Sequence, residues 1–514
     1  MKQLGIFDSA YINMEHPDTP QHVGGLGIYD PASAPGAKVR FTGIISNFEK
    51  RLQKHTIFRS RLLRVPGDLD HPYWSLDPNF DIEFHLRHVA LPKPGDWRQL
   101  CILIARLHAQ PLDMAKPLWV SYIIEGLDNI PGLPKGAFAV YTKMHHALVE
   151  GAGSNSIMAV IHDLEPNPES VTPAPRRARQ VPPSSSSLVM RALTNSLSNS
   201  AKLWKGSFDL LKGLGKTALE LQQKELNLPP LSAPRTRFNS RVGPNRSMVT
   251  ADIPLDEVNK LARIYSVEAD DVLLALVSGA LRHYLTVHEE LPDESLTTLV
   301  PASSAGRRFR SQGGRGGMAL MALHTEIGDP AERLAEIHES HLEARHFATS
   351  SPLSEARYLP GLLPPVFGRP ISQGYVRRLS NRFSMGVATY VSHVTGPQFP
   401  LFCAGASLTR FYGLGSLTPG IGLNHLIYTA QGKASVTVLA NRDAMPDPEL
   451  YQACLDKSFK ELMSLLTKPV LTGESARRRK AAAASVVRSN SGDAAVDQAS
   501  TADASVANVV AMHK

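Results

Sequence analysis

Cysteine is scarce: Cys101, Cys403 and Cys454 are the only three in 514 residues. They form no Cys-x-x-Cys pair, and an odd number closes no disulfide framework. The expectation is a reducing, cytosolic setting with no cysteine zinc site. Long apolar runs are missing as well. The longest, Val272–Leu281, is broken by Ser278 and Gly279 and followed by Arg282 and His283. It falls short of the roughly 18 residues a spanning helix needs. Met1–Glu15 mixes polar and apolar side chains and has no signal-peptide core. Any contact with a membrane is therefore expected from one side.

Several catalytic signatures are absent. There is no GxSxG elbow, no GxxxxGK[ST] loop and no GxGxxG after a strand, which argues against a serine hydrolase, an NTPase and a dinucleotide enzyme. Strong charge of one sign is absent too: 55 Lys+Arg against 47 Asp+Glu gives +8. That excess favours anionic partners such as phosphates or a membrane surface, without the clustered basicity of a nucleic-acid binder. What is present is a globular composition, 43% hydrophobic and 20% charged, long enough for two or more domains.

Strands and helices alternate along the chain. His22–Tyr29, Trp119–Gly126 and Ala137–Met144 read as strands; Phe48–Leu63, Trp97–His108 and Gly151–Leu164 read as helices. Prolines and four serines mark a linker over Glu165–Ser187. Leu188–Glu225 is amphipathic and carries Lys202, Lys205 and Lys212. It is either a helix lying on an anionic membrane surface or one packed against the body with a solvated basic face. Further on, Ser266–Leu285 reads as a buried helix, Ala331–Ala348 as a charged helix and Asp447–Leu466 as a closing helix. Leu296–Ala302, Ala319–Ile327, Gly386–Val394, Leu423–Gln431 and Ser435–Asn441 read as strands. The expected class is α/β (α+β) in two domains, 1–165 and 238–468, joined through 166–237 and ending in a disordered tail, 469–514.

The sharpest local feature is Lys143-Met144-His145-His146-Ala147-Leu148-Val149-Glu150-Gly151. Neighbours on a strand point to opposite faces, so one histidine can enter a cleft while the other packs inward. A neutral imidazole there can take a hydroxyl or thiol proton near pH 7. Gly151 would allow a tight turn after Glu150. Vicinal histidines on a strand cannot both reach one ion, so no metal is expected. His338 and His341, three apart on the charged helix, read as a solvated face. Gly306–Gly317 holds Arg307, Arg308, Arg310 and Arg315 and is either a phosphate cradle or a mobile basic loop.

These stretches together resemble the bacterial wax ester synthase/acyl-CoA:diacylglycerol acyltransferase family. The resemblance rests on Thr19-Pro20-Gln21-His22-Val23-Gly24, Pro111-Leu112-Asp113, Lys116-Pro117-Leu118-Trp119, Ala139 through Ala147, Val300-Pro301, Ser392 through Pro397 and Leu423-Asn424, and spans about Leu4 to Leu466. It implies two chloramphenicol-acetyltransferase-like domains with a tunnel between them. It also implies an O-acyltransferase that moves a fatty acyl group from acyl-CoA, a co-substrate, to diacylglycerol or a long-chain alcohol, without a further cofactor. His146 would be the general base and His145 its structural support, with Glu150 and Gly151 shaping the loop. Asp270, Ser392 and Asn424 would lie near the tunnel. A cytoplasmic protein held peripherally at the inner membrane or at lipid inclusions is implied. The sequence departs from the family where its HHxxxDG has Glu150, where its Asn-Asp becomes Asp270-Asp271, where its SNVPGP becomes Ser392-His393-Val394-Thr395-Gly396-Pro397, and where its Gly-Asn becomes Arg315-Gly316-Gly317. These departures raise a second reading, a member that binds acyl chains or lipid surfaces without efficient turnover.

Overall fold

Aromatic and β-branched segments form strands and the amphipathic segments form helices, in a computed structural model that describes residues 2–152, 157–167, 183–195, 233–301, 318–350, 364–380 and 386–467. The first half runs β1 (Lys2–Gln3), α1 (Ile6–Met14), β2 (His22–Asp30), α2 (Phe41–Leu52), β3 (Ser60–Leu63), β4 (Tyr73–Leu76), α3 (Ile82–His85), β5 (Leu86–Ala90), α4 (Trp97–Ala109), β6 (Trp119–Glu125), β7 (Phe138–His145), α5 (His146–Ala152) and α6 (Ile157–Ile161). A helix over 185–195, α7, follows. The second half runs β8 (Arg246–Pro254), α8 (Leu255–Tyr265), α9 (Ala269–Val287), β9 (Thr297–Pro301), β10 (Met318–Ala322), α10 (Pro330–Ser350), α11 (Pro365–Gly374), β11 (Thr389–Thr395), β12 (Phe402–Cys403), β13 (Ala406–Leu414), β14 (Leu423–Ala430), β15 (Lys433–Asn441) and α12 (Pro448–Ser464).

Two six-stranded sheets dominate, ordered β12-β13-β2-β7-β6-β5 and β10-β9-β11-β14-β15-β8. Residues 402–414, which the sequence pattern groups with the second domain, complete the first sheet. β13 pairs antiparallel with β2 and covers an edge that would otherwise be open. Local patterning cannot say which sheet a strand joins. Strand β7 is buried on both faces. Phe138, Val140 and Met144 meet the side of α2 and α6. Ala139 and Tyr141 meet α4 through Leu100 and Ile104, in a core that also takes Met248 and Leu439 from the second half.

Three boundaries differ from the sequence reading. The helix expected over Phe48–Leu63 starts earlier, at Phe41, and stops at Leu52, with Ile44, Phe48 and Leu52 on its buried face. Ser60–Leu63 is instead a strand on β4. The helix expected from Gly151 begins at His146, and Leu164 beyond it is 68% exposed. The strand expected to reach Ile327 ends at Ala322, because the Arg282 guanidinium takes the Thr325 and Glu326 carbonyls. The apolar run itself folds as foreseen: α9 buries most of its length, and Gly279 lets α12 cross so closely that a Cβ would overlap Ser458 Oγ.

The start of the predicted basic helix lies against the first half. Leu188 and Ala192 pack with Val65 and Tyr73, and Asn195 Nδ2 donates to Asp70 Oδ2 at 2.7 Å. Lys202, Lys205 and Lys212, the loop 302–317 and the tail 469–514 lie outside the described residues.

Buried neutral histidines make the fold acid-sensitive. Burial pushes His108 and His425 down to about 3. An unfolded histidine takes up its proton near pH 6.5, whereas these do not until about pH 3. Stability that is complete above pH 6.5 is therefore lost as pH falls through that window, at about 1.4 kcal/mol per pH unit and group. His425 is held by Thr389 Oγ1 at 2.8 Å and Tyr451 OH at 2.7 Å. Exchanging His425→Gln is expected to flatten the pH dependence of the urea unfolding free energy between pH 6 and 4 by about one proton. An unchanged slope would refute this assignment.

Candidate active site

The two histidines sit where β7 becomes α5. The His145 N–H donates to Leu118 O at 2.9 Å and the His146 N–H to Gln21 O at 2.9 Å, so β6 and the segment before β2 fix both backbones. His145 faces inward and is fully buried. Its Nδ1 accepts from the Ala147 N–H at 3.1 Å, closing the first turn of α5. Its Nε2 lies 3.3 Å from the Glu15 carboxylate without forming a hydrogen bond. Glu15 also accepts from the Gln21 N–H at 2.6 Å. The carboxylate thus lies beside the buried histidine and holds the segment that anchors its neighbour.

His146 is the first residue of α5 and is half-buried. The Tyr11 ring of α1 stacks on it, centroids 3.9 Å apart and planes 14° apart. Its Nδ1 is buried without a hydrogen-bond partner among the described residues. Burial, helped by neighbouring His145, lowers its pKa to about 4. The imidazole is therefore neutral at physiological pH, with a lone pair available. Glu150 and Gly151 lie inside α5 rather than in a turn, because the helix begins at His146 and not after them. The Glu150 side chain is outside the described residues.

A buried polar chain runs from this corner to the second half. The Tyr141 OH donates to His108 Nδ1 at 2.6 Å, and His108 Nε2–H donates to Gly415 O at 3.0 Å. His22, opposite His145 on β2, donates from Nε2 to His108 O at 2.5 Å. Lys143 is buried too, with Nζ donating to Leu107 O at 2.6 Å and Gln110 O at 2.5 Å. Burial lowers its pKa to about 7. Sequence reasoning did not assign His108, Tyr141 or Lys143 a role. The available signal was polar residues on apolar segments, which patterning alone does not resolve.

The tunnel candidates fall at different levels of one sheet. Asn424 lies at the start of β14 against Gly415, with Oδ1 buried and unpartnered among the described residues. Ser392 is half-buried and pairs with Leu426 in mid-strand. Asp270 lies toward the far end of β14. His393 Nδ1–H donates to Asp270 Oδ1 at 2.7 Å, and His393 Nε2 meets Thr429 Oγ1 at 2.9 Å. Five residues of strand, about 17 Å, separate Asn424 from Thr429. His338 and His341 are not a solvated face. Both donate from Nδ1 to Asp271 at 2.6 Å, and His341 is buried. Burial alone would raise the Asp271 pKa, but the hydrogen bonds from His341 and His338 outweigh it and hold the carboxyl below its usual value. A charged helix hid this pair because its partner is on α9. Arg307, Arg308, Arg310 and Arg315 lie outside the described residues.

The wax ester synthase/diacylglycerol acyltransferase catalytic domain matches residues 4–273, and the WS/DGAT C-terminal domain matches residues 312–463. The chain belongs to this family. It is 29% identical over 463 residues to "Probable diacyglycerol O-acyltransferase tgs2" of Mycobacterium tuberculosis, covering 88% of this chain and 97% of that protein. The solved wax ester synthase/diacylglycerol acyltransferase of Marinobacter aquaeolei VT8 shares the fold, with a TM-score of 0.64, 23% identity, and 91% of this chain and all of that one covered. A condensation domain of the calcium-dependent antibiotic synthetase shares it more loosely, at a TM-score of 0.50 and 14% identity over 91% of this chain and 96% of that one.

Within the family frame, two of the departures prove to be one. Asp270 and His393, both among the departures noted in the sequence, hydrogen-bond to each other. Asp270 is thus a partnered side chain with 18% exposure, held by an imidazole rather than left as a lone carboxylate.

Proposed function

We propose that the protein is an O-acyltransferase that moves a fatty acyl group from acyl-CoA to the hydroxyl of diacylglycerol, and by the same chemistry to a long-chain alcohol. The observation that carries this reading is the neutral, half-buried His146 imidazole at the strand end, oriented by Tyr11. With Nδ1 turned inward, Nε2 is the nitrogen that faces the acceptor. It takes the hydroxyl proton as the oxygen attacks the thioester carbonyl. The tetrahedral intermediate then collapses, the C–S bond breaks, and the same proton passes to the leaving sulfur. The ester and free CoA result, and no acyl-enzyme forms. Holding both substrates at one imidazole supplies much of the rate. No cofactor is required beyond acyl-CoA as co-substrate.

The acceptor is apolar and must come from a lipid phase. Among the described residues no helix is long and apolar enough to cross a membrane. Helix α11 instead exposes Phe367 and Ile371, at 61% and 64%, one turn apart. It is tied to the α1 end by Gln373 Nε2, which donates to Asn13 O at 3.2 Å and Glu15 O at 3.1 Å. This ridge, beside the helix that carries Tyr11, supports peripheral contact with a membrane or lipid inclusion from the cytoplasmic side.

The test is CoA release by the purified protein from palmitoyl-CoA with dioleoylglycerol or hexadecanol, each product identified by chromatography. Acceptor-dependent release with the matching triacylglycerol or wax ester is expected. Release that ignores the acceptor, or none at all, would overturn the reading.

A further inference from the structure

Two cavities meet at Arg410, on the seam where β13 of the first sheet crosses β8, β14 and β15 of the second. One, of about 180 Å³, is walled by Trp97, Pro131, Thr250 and Tyr412. The other, of about 230 Å³, is walled by Leu401, Leu408, Phe411, Tyr428 and Lys433. Arg410 and Asp252 border both. Asp252 already accepts from Tyr412 OH at 3.0 Å and Ser435 Oγ at 3.2 Å, and Arg410 Nη1 stays 4.0 Å from it. Arg410 also interacts with the Tyr412 hydroxyl, and its side chain lines both cavities. Lys433 is exposed at the β14–β15 turn and has no ion-pair partner among the described residues. Two cations facing one satisfied carboxylate make a place for a multiply charged anion. The Trp97 ring, fixed by Nε1–H donating to Thr250 Oγ1 at 2.7 Å, offers a flat apolar wall beside it.

Strand register gives the distance to the base. Arg410 pairs with Ile28, and His145 pairs with His22 on the same strand, six residues away. That is about 20 Å of extended strand, a span an extended phosphopantetheine arm can cover. Phe411 and Tyr428, with centroids 4.5 Å apart, line the larger cavity.

We propose that this double cleft holds the nucleotide end of the acyl-CoA donor, with Arg410 and Lys433 on the phosphates, Trp97 against the purine, and the pantetheine arm running past Phe411 and Tyr428 toward His146. The proposal rests on the acyl-transfer reading above and assigns the donor's side of that site. A guanidinium can bond a phosphate through two parallel N–H groups, and a base stacks on an indole without sequence-specific contacts.

The experiment compares palmitoyl-CoA with palmitoyl-N-acetylcysteamine, a thioester that lacks the nucleotide, in the wild type, Lys433→Ala and Arg410→Ala/Lys433→Ala. The double variant is expected to raise KM for palmitoyl-CoA about tenfold or more, and to lose that same factor of preference for palmitoyl-CoA over the truncated donor. Adenosine 3′,5′-bisphosphate is expected to compete with palmitoyl-CoA in the wild type and to inhibit both variants less. An unchanged KM for palmitoyl-CoA, equal losses with both donors, or a rise in the dioleoylglycerol KM instead would overturn the proposal. Lys433→Ala alters only an exposed turn residue, so it tests the cleft even if the double variant fails to fold. Should the wild type transfer no acyl group, the acyl-transfer reading fails first; calorimetric binding of adenosine 3′,5′-bisphosphate still reads the cleft on its own, and its absence in the wild type overturns the proposal.

Discussion

His146→Ala is expected to lower turnover of palmitoyl-CoA with dioleoylglycerol by about 10²- to 10⁴-fold, the usual worth of a positioned general base. The ring is half-buried and stacked on Tyr11. Its removal therefore costs some packing, and the thermal midpoint of the variant is to be measured beside its rate. His146→Gln keeps more of the bulk but accepts no proton, and should be as slow. The pH profile gives a second check. Burial holds the His146 pKa near 4, so kcat/KM should stay level as pH falls from 8 to about 5 and decline only toward pH 4. An ordinary solvent-exposed histidine would start to lose activity near 6.5. A low pKa makes a weaker base, which the proposed mechanism tolerates because in it the proton leaves the hydroxyl as the C–O bond forms. An alanine variant that releases CoA at the wild-type rate would remove His146 from the mechanism.

The second large effect concerns Asp270 and His393. Their side chains are 18% and 16% exposed and 2.7 Å apart. Thr429 Oγ1 holds the other ring nitrogen at 2.9 Å. Breaking such a pair leaves a mostly desolvated polar group without its partner. Asp270→Asn and His393→Asn are each expected to lower stability, and the double exchange to recover much of the loss, with a coupling of about 1–3 kcal/mol in urea unfolding. Turnover should follow the same pattern: low in each single variant, restored in the double. This decides between an impairing carboxylate and a compensated pair. A lone carboxylate at 270 would be a handicap that Asp270→Asn removes by itself. A compensated pair gains nothing from that exchange alone. If Asp270→Asn alone raised turnover to the level of the double variant, the compensation argument would fail.

Much of the site was readable because its chemistry is local. The strand before the histidines shows as Ala137–Met144, and alternation along a strand would put His145 and His146 on opposite faces. The strand is β7, but it ends at His145 and His146 opens α5, so strand alternation does not itself place His146; His145 is fully buried and His146 is half-buried. The start of α5 was misplaced because Gly151 looks like a turn residue, while the hydrogen bond from the Ala147 N–H to His145 Nδ1 starts the helix five residues earlier. His338 and His341 were misread for a related reason. Charged neighbours on α10 signal a solvated face, and only the buried Asp271 of α9 makes that face an interior one.

The order of residues along the chain was enough for the strand-and-helix alternation and the family motifs, since each depends on neighbours a few positions apart. Tertiary structure alone decided that β13 completes the first sheet, that Glu15 comes beside His145, that Asp270 meets His393, and that Arg410 lines a cavity with Trp97. These contacts join segments about 120 to over 300 residues apart. Which distant groups meet is set by sheet register and core packing, and no local pattern carries that information.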